Sequence, residues 1–264
     1  MGGPNSAVFM CHAPIVIPAI GGGRAGSCAA TTEAMHRAAT HLMELRPETV
    51  VVVSPHLPRH PEAYGWAEGS PLVSDFRDFG HPEVRSTCAP DGAAAGTLRR
   101  AAERLGLPME GTPVSLMDHG AGVPLWFLQA AGFQGRLLLL GLPWQRNAHG
   151  NRLLGTALAE VFTTLDRRWA LVASGDLSHA LQPGAPAGFH PRAAAFDAEL
   201  MEALRRGPLQ DLQHLDPGLR QAAAEDAVDS LQVAEGALGP GAACREVLSY
   251  EAPFGVGYGV ALLR

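Results

Sequence analysis

The stretch Val50-Val51-Val52-Val53-Ser54-Pro55-His56 constrains the fold more than any other. Four consecutive β-branched residues leave no polar face, so they read as a strand buried on both sides, as in a parallel sheet. Pro55 stops the strand, and a histidine follows as the chain leaves it. In open α/β sheets, ligands bind just beyond the carboxyl ends of the strands. The pattern recurs. Val8-Phe9-Met10-Cys11-His12 is an apolar run ending in histidine. Leu171-Val172-Ala173-Ser174-Gly175-Asp176-Leu177-Ser178-His179 reaches one after a polar turn. Strands that each deliver an imidazole to one edge form a metal-site pattern.

The rest of the chain fits around these strands. Residues 7–17 read as the first strand, and the Gly-rich turn Gly21-Gly22-Gly23-Arg24-Ala25-Gly26 follows. A helix from about 29 to 45 carries Ala34, Ala38, Leu42 and Leu45 on one face. It leads to the strand at 49–54, a right-handed parallel crossover. Residues 57–90, rich in Pro, Gly, Asp and His, read as a long loop with short edge strands around 71–73. Loops of that length often serve as lids. Helices are expected at 90–105, from near Pro124 to Gly132, and at 151–166, with strands at 137–141 and 169–174. After a loop at 181–191, helices follow at 192–206, 208–214 and 218–237, and a last strand falls within 255–263. The expectation is one α/β domain over residues 1–264: a mostly parallel central sheet flanked by helices, with a metal site at the carboxyl ends of the strands.

Composition excludes several functions. A net charge of -6 without a basic stripe argues against nucleic acid. No apolar run of about 18 residues exists, so no transmembrane helix and no membrane partner is expected. The amino terminus lacks the basic segment of a signal peptide. Gly2 with Ser6 fits a myristoylation pattern in form only. Cys11, Cys28, Cys88 and Cys244 are widely spaced, which suits free thiols in the cytoplasm. Gly21-x-Gly23-x-x-Gly26 has a dinucleotide-binding form, but no acidic residue ends the second strand. The G-x-S-x-G elbow of serine hydrolases is absent.

His12 and His56 are the candidate ligands. Either one alone reads equally as a satisfied strand-end residue; the pair suits a transition metal. Glu225 lies among small residues in the expected 218–237 helix. By position it reads as a solvated helix carboxylate. As a third ligand it would complete the two-His, one-carboxylate triad of non-heme iron oxygenases. His119, after Asp118, and His179, after Asp176, are acid/base candidates because imidazole titrates near operating pH. For His119 the alternative is a loop residue with a backbone partner.

Taken in order, these blocks resemble the class III extradiol ring-cleavage dioxygenase superfamily, in the form of the protocatechuate 4,5-dioxygenase B-subunit. The resemblance rests on the strand ending at His12, Ser54-Pro55-His56, Ser74-Asp75-Phe76, Asp118-His119-Gly120 with Val123-Pro124-Leu125, Ser174-Gly175-Asp176-Leu177-Ser178-His179, and Pro253-Phe254-Gly255-Val256-Gly257-Tyr258. It implies Fe(II) held by His12, His56 and Glu225, with His119 and His179 as catalytic histidines. Asp226-Ala227 stands where many relatives carry Cys-Gly. The implied reaction opens a catechol or 2-aminophenol ring with O2, and both oxygen atoms enter the product. The resemblance also implies a cytoplasmic homo-oligomer, in some relatives with a small second subunit. The alternative is a non-catalytic Memo-like metal-binding or signalling homologue of the same fold. Substrate-binding residues are expected from the 57–90 and 181–191 loops, without individual assignment.

Overall fold

The computed structural model describes residues 6–264; Gly2 of the myristoylation pattern lies outside them. Strand β1 (Ser6–Met10) is shorter than expected. Pro14 and Pro18 each start a short helical turn, a 3-10 turn at Pro14–Val16 and α1 (Pro18–Gly21), so no strand can continue through them. A 3-10 stretch at Gly22–Cys28 leads into α2 (Ala29–Glu44) and then β2 (Thr49–Ser54).

The segment expected to be a lid is mostly sheet. It holds β3 (Tyr64–Glu68), β4 (Leu72–Phe76) and β5 (His81–Pro90). Within β5, Val84, Ser86 and Cys88 turn inward while their neighbours face outward, the two-residue period of a half-covered edge. Serine at a buried position and flanking prolines hide that period in the sequence.

Next come α3 (Gly92–Arg104), β6 (Met109–Pro113), α4 (His119–Ala130), β7 (Arg136–Gly141), α5 (Ala148–Leu165) and β8 (Trp169–Ser174). The chain ends with α6 (Ala193–Arg206), α7 (Pro217–Ala223), α8 (Val228–Leu238), β9 (Cys244–Glu251) and β10 (Tyr258–Leu263).

The sheet order is β4-β5-β7-β2-β8-β1-β10-β9, with β3 and β6 paired off this path. The centre, β7-β2-β8-β1, is parallel throughout. The fold is thus a single-domain α/β structure with a mostly parallel sheet between helices. Alternate residues supply its two cores. Val51, Val53, Leu138 and Leu171 pack with α3, α5, α6 and α8; Val50, Val52, Leu137 and Val172 pack with α2 and α4. With no water on either face, the strands must be apolar on both, which is why the valine run announces them. Among the described residues, no helix is long and apolar enough to cross a membrane.

Candidate metal centre

β8 lies between β1 and β2, so the chain leaving each at its carboxyl end enters one space. His12 and His56 each follow their strand by two residues. Their Nε2 atoms are 3.1 Å apart. The His119 ring sits 4.2 Å from that of His56 and 5.3 Å from that of His12.

The Asp-His-Gly block seats α4 on the end of β2. Asp118 caps the helix: its Oδ1 accepts from the Ala121 N–H (3.1 Å) and from the Ser54 hydroxyl (2.6 Å). The Ser54 oxygen also accepts the His56 N–H at 3.2 Å. A Cβ at Gly120 would lie 2.4 Å from that oxygen, so only glycine fits.

Helix α4 begins at His119 rather than near Pro124, which lies inside it. Proline has no N–H for the carbonyl four residues back, that of Gly120. This carbonyl accepts the Ser174 hydroxyl instead, at 2.6 Å. The Ser174 oxygen lies 3.0 Å from His12 Nδ1. With its one proton given to Gly120, Ser174 accepts from His12 Nδ1–H. Nε2 is then the nitrogen left to hold a proton or a cation.

Glu225 is not brought to the histidines. The expected 218–237 helix is broken: α7 ends at Ala223, Ala224 takes φ 51, and α8 starts at Val228. Glu225 falls in the break and caps α8, its Oε2 accepting the N–H groups of Ala227 and Val228, each at 2.9 Å. Its Oε1 pairs with Arg220 Nε (2.7 Å) and Arg146 Nη1 (2.9 Å), and the side chain is fully buried. It is therefore neither a solvated helix carboxylate nor a partner of the pair.

The carboxylate that meets the pair is Asp226, which sequence reasoning missed. Its Oδ2 lies 3.6 Å from His12 Nε2 and 3.3 Å from His56 Nε2. Its Oδ1 accepts the Asp176 N–H at 2.7 Å. Asp176 in turn accepts the His12 N–H at 3.0 Å. The only sequence signal for Asp226 is its place beside Glu225. On one continuous helix the two acids would diverge by about 100°, and the break reverses which of them faces the strands.

The Gly-Asp-Leu-Ser-His block holds this break in place. A Cβ at Gly175 would lie 2.5 Å from Ala227 Cα, so glycine there admits the backbone at 226–227. The Asp226 N–H donates to the Asp176 carbonyl (3.3 Å), and the His179 N–H to the Ala223 carbonyl (2.8 Å). His179 Nδ1 donates to the Ala224 carbonyl at 2.9 Å, which leaves Nε2 free.

Charge follows this arrangement. Burial disfavours the His12 imidazolium, but Asp176 and Asp226 outweigh it and carry its pKa from 6.5 to about 9. Burial also acts against the Asp226 anion, yet His12 and the bonds to His12 and His56 hold it well below the usual carboxylate range. Burial raises Asp176. For His119, burial together with repulsion from His12 and His56 lowers the pKa to about 3, so it stays neutral.

The donor set fits a divalent cation. Two imidazole nitrogens and one carboxylate oxygen lie 3.1, 3.3 and 3.6 Å from one another. Ligands bound at about 2.1 Å stand about 3.0 Å apart at right angles and about 3.4 Å apart in a tetrahedron. His12, His56 and His119 form a second close trio, with ligand atoms within 4.8 Å of one another. Above them opens a cleft of about 500 Å³, walled by Ile15, Ile20, Phe79 and Phe254 and floored by His56, His119, His179 and Asp176. Phe79 and His81 come from the 57–90 segment and Pro186 from the 181–191 loop.

Comparison with known proteins gives the family and the fold. The family model described as the catalytic LigB subunit of aromatic ring-opening dioxygenase matches residues 6–261. Protein CA_C1420 of Clostridium acetobutylicum is 27% identical over 268 residues, covering 98% of this chain. The chain spans only 57% of that relative's length. The crystal structure of the uncharacterized protein JW3007 from Escherichia coli K12 matches with a TM-score of 0.59 and 17% identity, over 98% of each chain, a likeness of fold.

Proposed function

The chain belongs to the family of the catalytic LigB subunit of aromatic ring-opening dioxygenase, and from that premise we propose that it is an Fe(II)-dependent extradiol dioxygenase. Its substrate is a catechol or 2-aminophenol, opened with O2 beside the heteroatom pair. The observation that carries this reading is the convergence of His12 Nε2, His56 Nε2 and Asp226 Oδ2 under an apolar cleft. These three residues would hold the iron, with Asp226 taking the role the resemblance gave to Glu225. When bound, ferrous iron supplies the redox chemistry that O2 needs to react with a ring.

The remaining work falls to side chains. His179 gives its Nδ1–H to Ala224, so its Nε2 is the base that takes a proton from a ring hydroxyl. His119, kept neutral among apolar and imidazole neighbours, can donate its ring N–H as a hydrogen bond to a substrate oxygen. Ile15, Ile20, Phe79 and Phe254 would set apolar surface against the ring. Four free cysteines suit a cytoplasmic setting, and a homo-oligomer is part of the same reading.

The departure from glutamate at the third ligand position favours a second reading, a Memo-like metal-binding homologue that does not open rings. Oxygen uptake by anaerobically iron-loaded protein, given catechols and 2-aminophenol, separates the two. The expected result is one O2 consumed per ring opened, with His179→Gln keeping its iron and slowing turnover by about 10²–10⁴. Iron-loaded protein that consumes no O2 with any ring in the panel would establish the second reading.

A further inference from the structure

Helix α6 carries an acid where its pattern calls for an apolar residue. Ala193, Phe196, Leu200, Met201 and Leu204 recur at helical spacing and fill the core, and Asp197 stands among them, 2% exposed. A carboxylate buried this deeply is ordinarily paired with a cation. Asp197 forms no ion pair among the described residues. Its Oδ1 accepts the Ser178 N–H at 2.8 Å, and its Oδ2 accepts the Tyr250 hydroxyl of β9 at 2.7 Å. A Cβ at Gly257 would lie 2.2 Å from Oδ2, so the backbone there closes directly over the carboxylate.

An amide would serve that shape equally well. The oxygen of an asparagine accepts the Ser178 N–H, and its NH2 group donates to the Tyr250 oxygen. Burial raises the pKa of the acid from 3.8 to about 6, although Tyr250, Ser178 and His179 pull it down, so near neutral pH the core holds an anion. Hydrogen bonding alone does not account for that charge. Glu225 repels it. Of the side chains that act on it, only His179 can become a cation.

Asp197 and His179 are fixed to one peptide segment. The Ser178 N–H goes to Asp197, and the Ser178 carbonyl accepts the Gly257 N–H at 2.9 Å. The next residue, His179, gives its N–H to the Ala223 carbonyl and its Nδ1–H to that of Ala224. When Nε2 takes a proton from a ring hydroxyl, the O–H bond breaks, an N–H bond forms, and the imidazole becomes a cation. A fixed anion behind it, away from water, favours that cation with no rearrangement at the moment of transfer.

We propose that Asp197 is a positioning residue for His179: its buried carboxylate, bonded to the Ser178 N–H, is the counter-charge that holds a proton on the His179 ring. The proposal rests on the reading of His179 as the base of the ring-opening reaction.

NMR of the imidazole nitrogens tests it on the full chain, with and without Zn(II). The His179 signals are assigned by their loss in His179→Gln. At about pH 7 the ratio of protonated to neutral His179 should fall about fivefold in Asp197→Asn, and by less in Tyr250→Phe, which keeps the acid but not its donor. Oxygen uptake by the iron-loaded Asp197→Asn protein should show kcat for a catechol about tenfold lower, with KM changed less than about twofold. A role in shape alone predicts neither change, because the amide keeps both hydrogen bonds. An unchanged protonation ratio in Asp197→Asn overturns the proposal, and so does a lowered ratio with kcat intact. If the ratio falls but wild type opens no ring, the pairing of Asp197 with His179 stands and the dioxygenase reading falls.

Discussion

Glu225 and Asp226 are neighbours with opposite duties, and substitution should separate them. Asp226→Asn removes the carboxylate that approaches both histidine Nε2 atoms, and apparent cation affinity should fall by more than about 100-fold with little change in stability. Glu225→Gln leaves Arg220 and Arg146 facing a neutral amide at a buried position. It should cost about 3 kcal/mol in urea unfolding while the cation still binds. Titration with a divalent metal and equilibrium unfolding, run on both variants, read these outcomes. Asp197 carries a pH effect. Burial raises its pKa from 3.8 to about 6 although it accepts from Tyr250 and from the Ser178 N–H. The folded state thus prefers the protonated acid. That contribution to stability is full below pH 3.8 and is lost as pH rises through about 6. Asp197→Asn has no proton to lose. Its stability relative to wild type should improve by on the order of 2–3 kcal/mol between about pH 4 and pH 7, measured by urea unfolding.

At the scale of elements, the site depends on close backbone approaches. Gly175→Ala would drive a methyl group into Ala227 Cα and displace the segment that carries Asp226. The expected cost is about 1–3 kcal/mol, together with weakened cation binding, seen by calorimetry and thermal melts. The strand-end histidines were legible in the sequence because a valine run halted by proline can be little else than a buried parallel strand, and its exit is a ligand position. The break between α7 and α8 was not legible. Residues 218–237 keep a helical pattern of small and apolar residues across it, and the interruption depends on Ala224 adopting a left-handed conformation, for which alanine gives no sign. The β4–β5 hairpin was missed because buried serines and flanking prolines mask its alternation. The role of Pro124 was equally hidden, since it lies in which carbonyl the proline frees.

For the molecule as a whole, the proposed ligands tie β1, β2 and the α7–α8 break into one unit across the middle of the sheet. A cation bound there stabilises the entire fold by mass action. At about 100 times its dissociation constant the gain is about 2.7 kcal/mol. Thermal melts should therefore rise with added Fe(II), return to baseline with a chelator, and show no rise in His12→Ala. The order of the ligands along the chain has a consequence during synthesis. His12 and His56 leave the ribosome well before Asp226. Until Asp226 has emerged, the chain offers a cation at most two of the three proposed donors. A cation held by all three residues therefore binds only once the chain through Asp226 has emerged, and under the proposed reading it would reach them through the cleft that admits the ring.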